Sequence, residues 1–405
     1  MTTSRSNDPS KSSPPGGPAF RPKVGLLALT LELYETMSPG RRASREAWLR
    51  TAVIPGLEPQ VDVLFSRAVF RREDIEATVT EYEAAGVNAL LVIAGTYSTS
   101  QSSLPALKHT RLPILIWNTQ ELRAVSPTFI PADMSNNHGV QGTQDLANVL
   151  TRNGIPFHYV TSPDNDPRGI QELTDFFTAA ASVNRLRSAR IGLIGYPFPG
   201  MGDFALDSTY LAASLGCAWV NLTVNDFVRR CAAAADGEVS RLAAEYRRSY
   251  AVAGDVTDED LRCTAAAELA VRGMVSENRL DALTYQFMAF GDDERSSTVP
   301  FVAASRLMAE GIGFGGEGDL IAAAATAFFN WLNRPASFSE IFTIDFAGES
   351  LFMSHMGEAN VAMARRDRKV PLVARPAPIT RIRGRQLALV TSFEPGPATL
   401  AVLTL

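Results

Sequence analysis

Two acids and a histidine in the last third of the chain could together hold a divalent cation. The stretch GIGFGGEGD (311–319) sets four glycines around Phe314, then presents Glu317 and Asp319 at the start of a helical run, IAAAATAFFNWL. Glycines let a backbone approach a ligand closely. An acid in the first turn of a helix reads equally as a cap or as a catalytic group. Downstream, FSEIFTIDFAGESLFMSHMGEAN (338–360) carries Glu340, Asp345, Glu349, His355 and Glu358. His355 stands among Phe352, Met353 and Met356, where a lone histidine reads first as a core residue. The neighbouring carboxylates add the second reading: two carboxylates and one imidazole suit a Mn²⁺ or Mg²⁺ class ion with positions left open for water or substrate.

A second polar cluster lies in SNNHGVQGTQD (135–145), where His138 follows Asn136 and Asn137 at the start of a helix. Capping by an asparagine explains part of it, and a grip on sugar hydroxyls is the alternative. GYPFPGMGD (195–203) sits between a strand and a helix, as a nucleotide loop would. Its spacing fits neither GxGxxG nor GxxxxGK[ST], so a substrate-facing loop at a strand end is the better reading. His109 and His158 have no clustered context and read as surface and structural residues.

The elements that must position these groups alternate along the chain. KVGLLALTL (23–31), NALLVIAG (88–95) and PILIWN (113–118) are apolar runs of the kind covered on both faces of a parallel sheet. Amphipathic helices such as REDIEATVTEYEAAG (72–86) separate them. The expected fold class is α/β: two successive parallel-sheet, Rossmann-like domains over 22–162 and 163–335, then a mostly β segment over 336–405. In that last segment FTIDFAG, ESLFMS, ITRIRG, RQLALVTSF and TLAVLTL read as short strands.

Length and composition agree with several domains. The 405 residues are 46% hydrophobic and 20% charged, with a formal net charge of −5. That charge argues against a nucleic-acid partner, and no apolar run approaches the ~20 residues of a membrane span. Residues 1–21 are rich in Ser, Pro and Gly, lack the apolar core of a signal peptide and are expected to be a disordered tail. Cys217, Cys231 and Cys263 form no metal-type spacing and read as free thiols in a reducing cytoplasm.

Taken in order, these motifs resemble the L-arabinose isomerases and their L-fucose isomerase-like relatives. VPFVAASRLMAEGIGFGGEGD (299–319) resembles the family segment that leads into its EGDW motif. ASFSEIFTIDF (336–346) is similar to SFMEDYTYHF, MSHMGEAN (353–360) to SHMLEV, TVNDFV (223–228) to VNDLV, ARIGLIG to RIGRFG, and NNHG to AHG. The resemblance implies a cytoplasmic aldose–ketose isomerase working through an enediol. By it, Glu317, Glu340 and His355 bind Mn²⁺ (or Mg²⁺ or Co²⁺), and Glu317 and Glu340 form the acid/base pair. It likewise implies sugar contacts at His138, Asn137 and Leu33, with His138 reaching a neighbouring subunit of a homo-oligomer, a trimer or hexamer. The chain departs from the family pattern at Leu31, Leu320 and Asp345, where the family has Gln, Trp and His. It also carries no histidine after His355, where the family places a fourth ligand in a GGxHH-like stretch. The expectations that follow are a shortened chain, a site with three protein ligands, or a sugar-binding or regulatory paralogue of impaired activity.

Overall fold

The structure is a computed structural model describing residues 21–204, 206–382 and 385–404. The tail expected at the start lies, apart from Arg21, outside the described residues. Two compact units meet in sequence between Asn184 and Arg185.

The N-terminal unit is built on strands β1 (Lys23–Leu29), β2 (Asp62–Leu64), β3 (Ala68–Val69), β4 (Ala89–Ala94), β5 (Ile114–Asn118) and β6 (His158–Thr161). They form a sheet in the order β2-β1-β4-β5-β6, with β3 also pairing to β1, and every pair is parallel. The unbroken apolar runs have the cause the sequence suggests, because both faces are covered. From β1, Leu26 and Ala28 enter one buried cluster with Trp117, Leu173 and Phe177. Leu27 and Leu29 enter the other with Tyr82 and Ile116, as the two-residue period of a strand requires. Leu173 and Phe177 come from the helix Pro167–Leu186, which closes this unit. Gly25 is obligatory, since any Cβ there would strike the Tyr82 ring. The Tyr82 hydroxyl donates to the Leu26 carbonyl at 2.8 Å.

The second unit contains β7 (Arg190–Ile194), β8 (Ala218–Leu222), β9 (Ala251–Val252), β10 (Ala282–Tyr285), β11 (Gly313–Gly315), β12 (Glu340–Asp345), β13 (Ser350–Ser354), β14 (Pro371–Pro376) and β15 (Arg385–Leu389). A parallel sheet runs β11-β10-β7-β8. β12 and β13 make an antiparallel hairpin with an irregularity between Ile341 and Thr343. β14 pairs antiparallel with β15 and parallel with β9, giving a three-stranded sheet. The fold is therefore mixed α/β with parallel sheets and a mostly β C-terminal segment.

Two of the short β-like runs form no strand over their described residues. ITRIRG begins in the 3₁₀ turn Pro378–Thr380, where Pro378 withholds a backbone donor. The run TLAVLTL has no ladder partner over 399–404 among the described residues, and Leu400 and Val402 are exposed. β-like composition without a neighbouring edge gives no ladder. No helix among the described residues is long and apolar enough to cross a membrane.

Candidate metal centre

Glu317 lies one residue beyond Gly316 and just past β11, at the carboxyl end of a parallel strand, where open α/β sheets present their ligand-binding groups. Two hydroxyls pin that strand. Thr284 donates to the Gly315 carbonyl and Thr326 to the Phe314 carbonyl, each at 2.8 Å. The helix Leu320–Trp331 then starts with Asp319 as its cap, the carboxylate accepting from the Ala322 N–H at 2.9 Å. The two readings of an acid at this helix start thus divide between two residues: Asp319 caps, and Glu317 is left for other work. Glu317 holds φ at +58°, a left-handed conformation that costs a non-glycine residue energy. Its carbonyl accepts from the Phe198 N–H at 2.9 Å, which ties the loop after β7 against it.

The glycines of this stretch make room. A Cβ on Gly316 would lie 2.8 Å from both His355 Nε2 and a Phe338 ring carbon, so only glycine lets the imidazole lie against the backbone. Gly318 has φ of +88°, and a Cβ there would press on Pro197.

Glu340 opens β12 and pairs across the hairpin with Ser354, the residue before His355. Glu317, Glu340 and His355 each offer one ligand atom, and these atoms lie within 4.8 Å of one another. His355 Nε2 is 3.9 Å from a Glu317 oxygen, too far for a hydrogen bond, and it is buried without any hydrogen-bond partner. An orphaned, buried imidazole nitrogen between two carboxylates is the donor set a divalent cation requires. The residues present therefore fit such an ion. Phe338 packs its edge on the imidazole at 4.8 Å between ring centres.

The electrostatics favour a cation as well. Burial opposes charge on His355, but Glu358 and Glu317 outweigh it and push its pKa up to about 10. Burial, reinforced by the negative charge of Glu317, raises the pKa of Glu340. Asp319 is also raised, chiefly by burial.

Two residues to which the sequence reading gave no role complete the arrangement. Glu358 is 3% exposed; one carboxylate oxygen lies 2.7 Å from His355 Nδ1 and the other accepts from the Tyr285 hydroxyl. The His-x-x-Glu spacing was the available signal for Glu358, and the end of β10 the signal for Tyr285. Tyr285, Glu317, His355, Arg375 and Gln386 line a cavity of about 50 Å³.

The other sequence candidates belong to the N-terminal unit. His138 Nδ1 is 2.9 Å from the Tyr34 hydroxyl, its Nε2 is 2.7 Å from Gln141, and its ring stacks on Tyr97. Asn137 spends its amide on local structure, accepting from the Leu122 N–H and donating to the Asp133 carbonyl. Leu33 is exposed on the short helix Glu32–Met37. A wider depression of about 510 Å³ in this unit includes His158, Glu172 and Phe176. It is open, and His158 is already engaged by Glu172 and stacked on Phe176.

Comparison with known proteins gives the relationship. Residues 207–334 match the L-arabinose isomerase central domain. The chain is similar to the L-arabinose isomerase of Acidothermus cellulolyticus, 28% identical over 360 residues, covering 84% of this chain and 68% of that protein. It is similar to the enzyme of that name from Nocardioides sp., 29% identical over 352 residues with the same coverages. It is similar also to L-arabinose isomerase 1 of Bacillus licheniformis, 26% identical over 299 residues, 72% of this chain and 59% of that protein. With the central-domain match reaching Glu317 and the wider similarity covering 84% of the chain, the sequence is similar to the L-arabinose isomerases.

Proposed function

We propose that this protein is a divalent-metal-dependent aldose–ketose isomerase acting on a small sugar. The observation that carries the reading is the convergence of Glu317, Glu340 and His355 to within 4.8 Å, with His355 Nε2 unpartnered. The named function of the relatives supports it.

Glu317, Glu340 and His355 would hold Mn²⁺, Mg²⁺ or Co²⁺, which when bound supplies Lewis acidity toward the sugar oxygens. Glu317 and Glu340 divide the proton work. One carboxylate removes the proton from C2 of the aldose, leaving an enediol, and returns it to C1. The other carries the hydroxyl proton from O2 to O1, so that C2 becomes the carbonyl carbon and no atom is gained or lost. His355 is a ligand and takes no proton from the sugar. Phe338 and Phe287 limit water around the reacting carbons.

Assembly of several copies is part of the proposal. It is supported by the β12–β13 hairpin, whose Ile341, Ile344, Phe346 and Phe352 are exposed.

The test is to assay aldopentoses and aldohexoses with added Mn²⁺, then repeat with Glu317→Gln and Glu340→Gln. Turnover in the parent chain that falls about 100-fold or more in both variants supports the roles. Full activity in both removes them. Calorimetry that detects sugar binding without turnover would make the chain a sugar-binding paralogue instead.

A further inference from the structure

We propose that Glu358 is the positioning residue of this centre: it fixes the His355 imidazole so that Nδ1 is the protonated nitrogen and Nε2 is presented to the ion. This rests on the metal-centre reading above and adds to it a residue outside the ligand set.

A neutral imidazole donates from one nitrogen and accepts, or ligates, through the other. Which nitrogen does which is decided by the partner of the first. His355 Nδ1 lies 2.7 Å from an oxygen of Glu358. An ionised carboxylate can only accept, so Nδ1 must carry the hydrogen. The lone pair is then left on Nε2, the nitrogen that lies 3.9 Å from Glu317 and has no hydrogen-bond partner. The other tautomer would set the Nδ1 lone pair against the carboxylate and a hydrogen on Nε2, where the ion must bind.

Glu358 can hold the ring because it is held in turn. The Tyr285 hydroxyl, from the end of β10, donates to its other oxygen. The Gly357 N–H donates to the oxygen that faces His355, at 3.1 Å. Tyr285 is 1% exposed and Glu358 3% exposed, so neither bond competes with water. With both oxygens so engaged, Glu358 serves the imidazole and leaves ligation to Glu317 and Glu340. The result is an ordered chain from the sheet to the ion site: tyrosine hydroxyl, carboxylate, imidazole. Such outer partners orient ligating histidines generally, and their loss costs about 10- to 100-fold in metal affinity.

The plain alternative is that Glu358 only neutralises a buried imidazolium and matters for folding alone. Two measurements on the full chain separate the readings: Mn²⁺ affinity by calorimetry and the visible absorption of the Co²⁺-loaded protein. In Glu358→Gln the side-chain amide can donate to Nδ1 and favour the wrong tautomer. The expected result is a Mn²⁺ Kd raised about 10- to 100-fold and an altered Co²⁺ band, in protein that still unfolds cooperatively. Tyr285→Phe leaves the carboxylate in place but frees one oxygen, and should raise the Kd in the same direction by a smaller factor. Unchanged Kd and unchanged Co²⁺ absorption in Glu358→Gln would overturn the proposal. If that variant does not fold, unchanged values in Tyr285→Phe overturn it instead. If the parent chain binds no Mn²⁺, the metal-centre reading falls and this inference with it; if the parent binds and the variants bind equally, only the positioning role falls.

Discussion

Glu340 and Ser354 are cross-strand partners at the base of the β12–β13 hairpin, and this pairing brings the Glu340 carboxylate beside the imidazole of His355. Two residues separated by an exposed arm are thereby placed by backbone register rather than by side-chain packing. A one-residue slip in that register would turn Glu340 to the other face.

Glu340→Gln leaves the backbone pairing intact and removes one charged ligand. In the parent chain, Mn²⁺ at about 100 times its Kd should stabilise by about 2.7 kcal/mol. For a unit of this size that is a rise in Tm of about 5–10 °C. The variant should lose most of that rise, as scanning calorimetry with and without Mn²⁺ will show. An equal rise in both proteins would mean the ion binds elsewhere.

Gly316→Ala adds a single carbon against His355 Nε2 and the Phe338 ring. Overpacking of this kind costs about 1–3 kcal/mol. Because the crowded atom is the ligating nitrogen, Mn²⁺ affinity should fall by more than the loss of stability would suggest. Denaturant unfolding and calorimetric Mn²⁺ titration measure the two effects separately.

Away from the centre, the Arg306 guanidinium bonded to Glu245 holds that carboxyl below its usual range, although burial works the other way. Its folded pKa is depressed relative to the unfolded chain. The stability it contributes is therefore present above the unfolded carboxylate pKa of about 4.3 and is lost as pH falls through the folded value. Urea unfolding at neutral pH and at pH about 3 should show a smaller acid-induced loss in Glu245→Gln than in the parent. An identical pH dependence in the two proteins would show that the pair contributes nothing measurable.

The hairpin exposes Phe346 at 85% and Phe352 at 58%. Replacing both with Ser should change the stability of the chain by about 0.5 kcal/mol or less, since neither is packed. If the hairpin is an assembly surface, light scattering will report a smaller mass for the double variant than for the parent. Identical masses would place any assembly on another face.

The sequence reading reached some features for good physical reason. The apolar runs of β1, β4 and β5 identify a covered parallel sheet because nothing else keeps both faces of a strand dry. The family motifs single out Glu317, Glu340 and His355, although local spacing left each with a structural alternative. The division of labour between Glu317 and Asp319 was hidden, since either acid could cap the same helix. The place of Glu358 was hidden too: a three-residue offset from His355 says nothing of which ring nitrogen it meets. Asn137 shows the converse. It has the chemistry to grip a hydroxyl, but its amide is committed to the Leu122 and Asp133 backbone. The run TLAVLTL shows that strand-like composition is no substitute for an edge to pair with.

The hairpin's far end is closed by Asp345, which accepts from the Ala347 and Gly348 N–H groups. Nothing there sets the spacing between Glu340 and His355, which is fixed at the opposite end of the arm. The tip can therefore be lengthened, shortened or fitted with a reporter group while the chemistry at its root stays in alignment. That makes it a handle by which the centre can be watched without being touched.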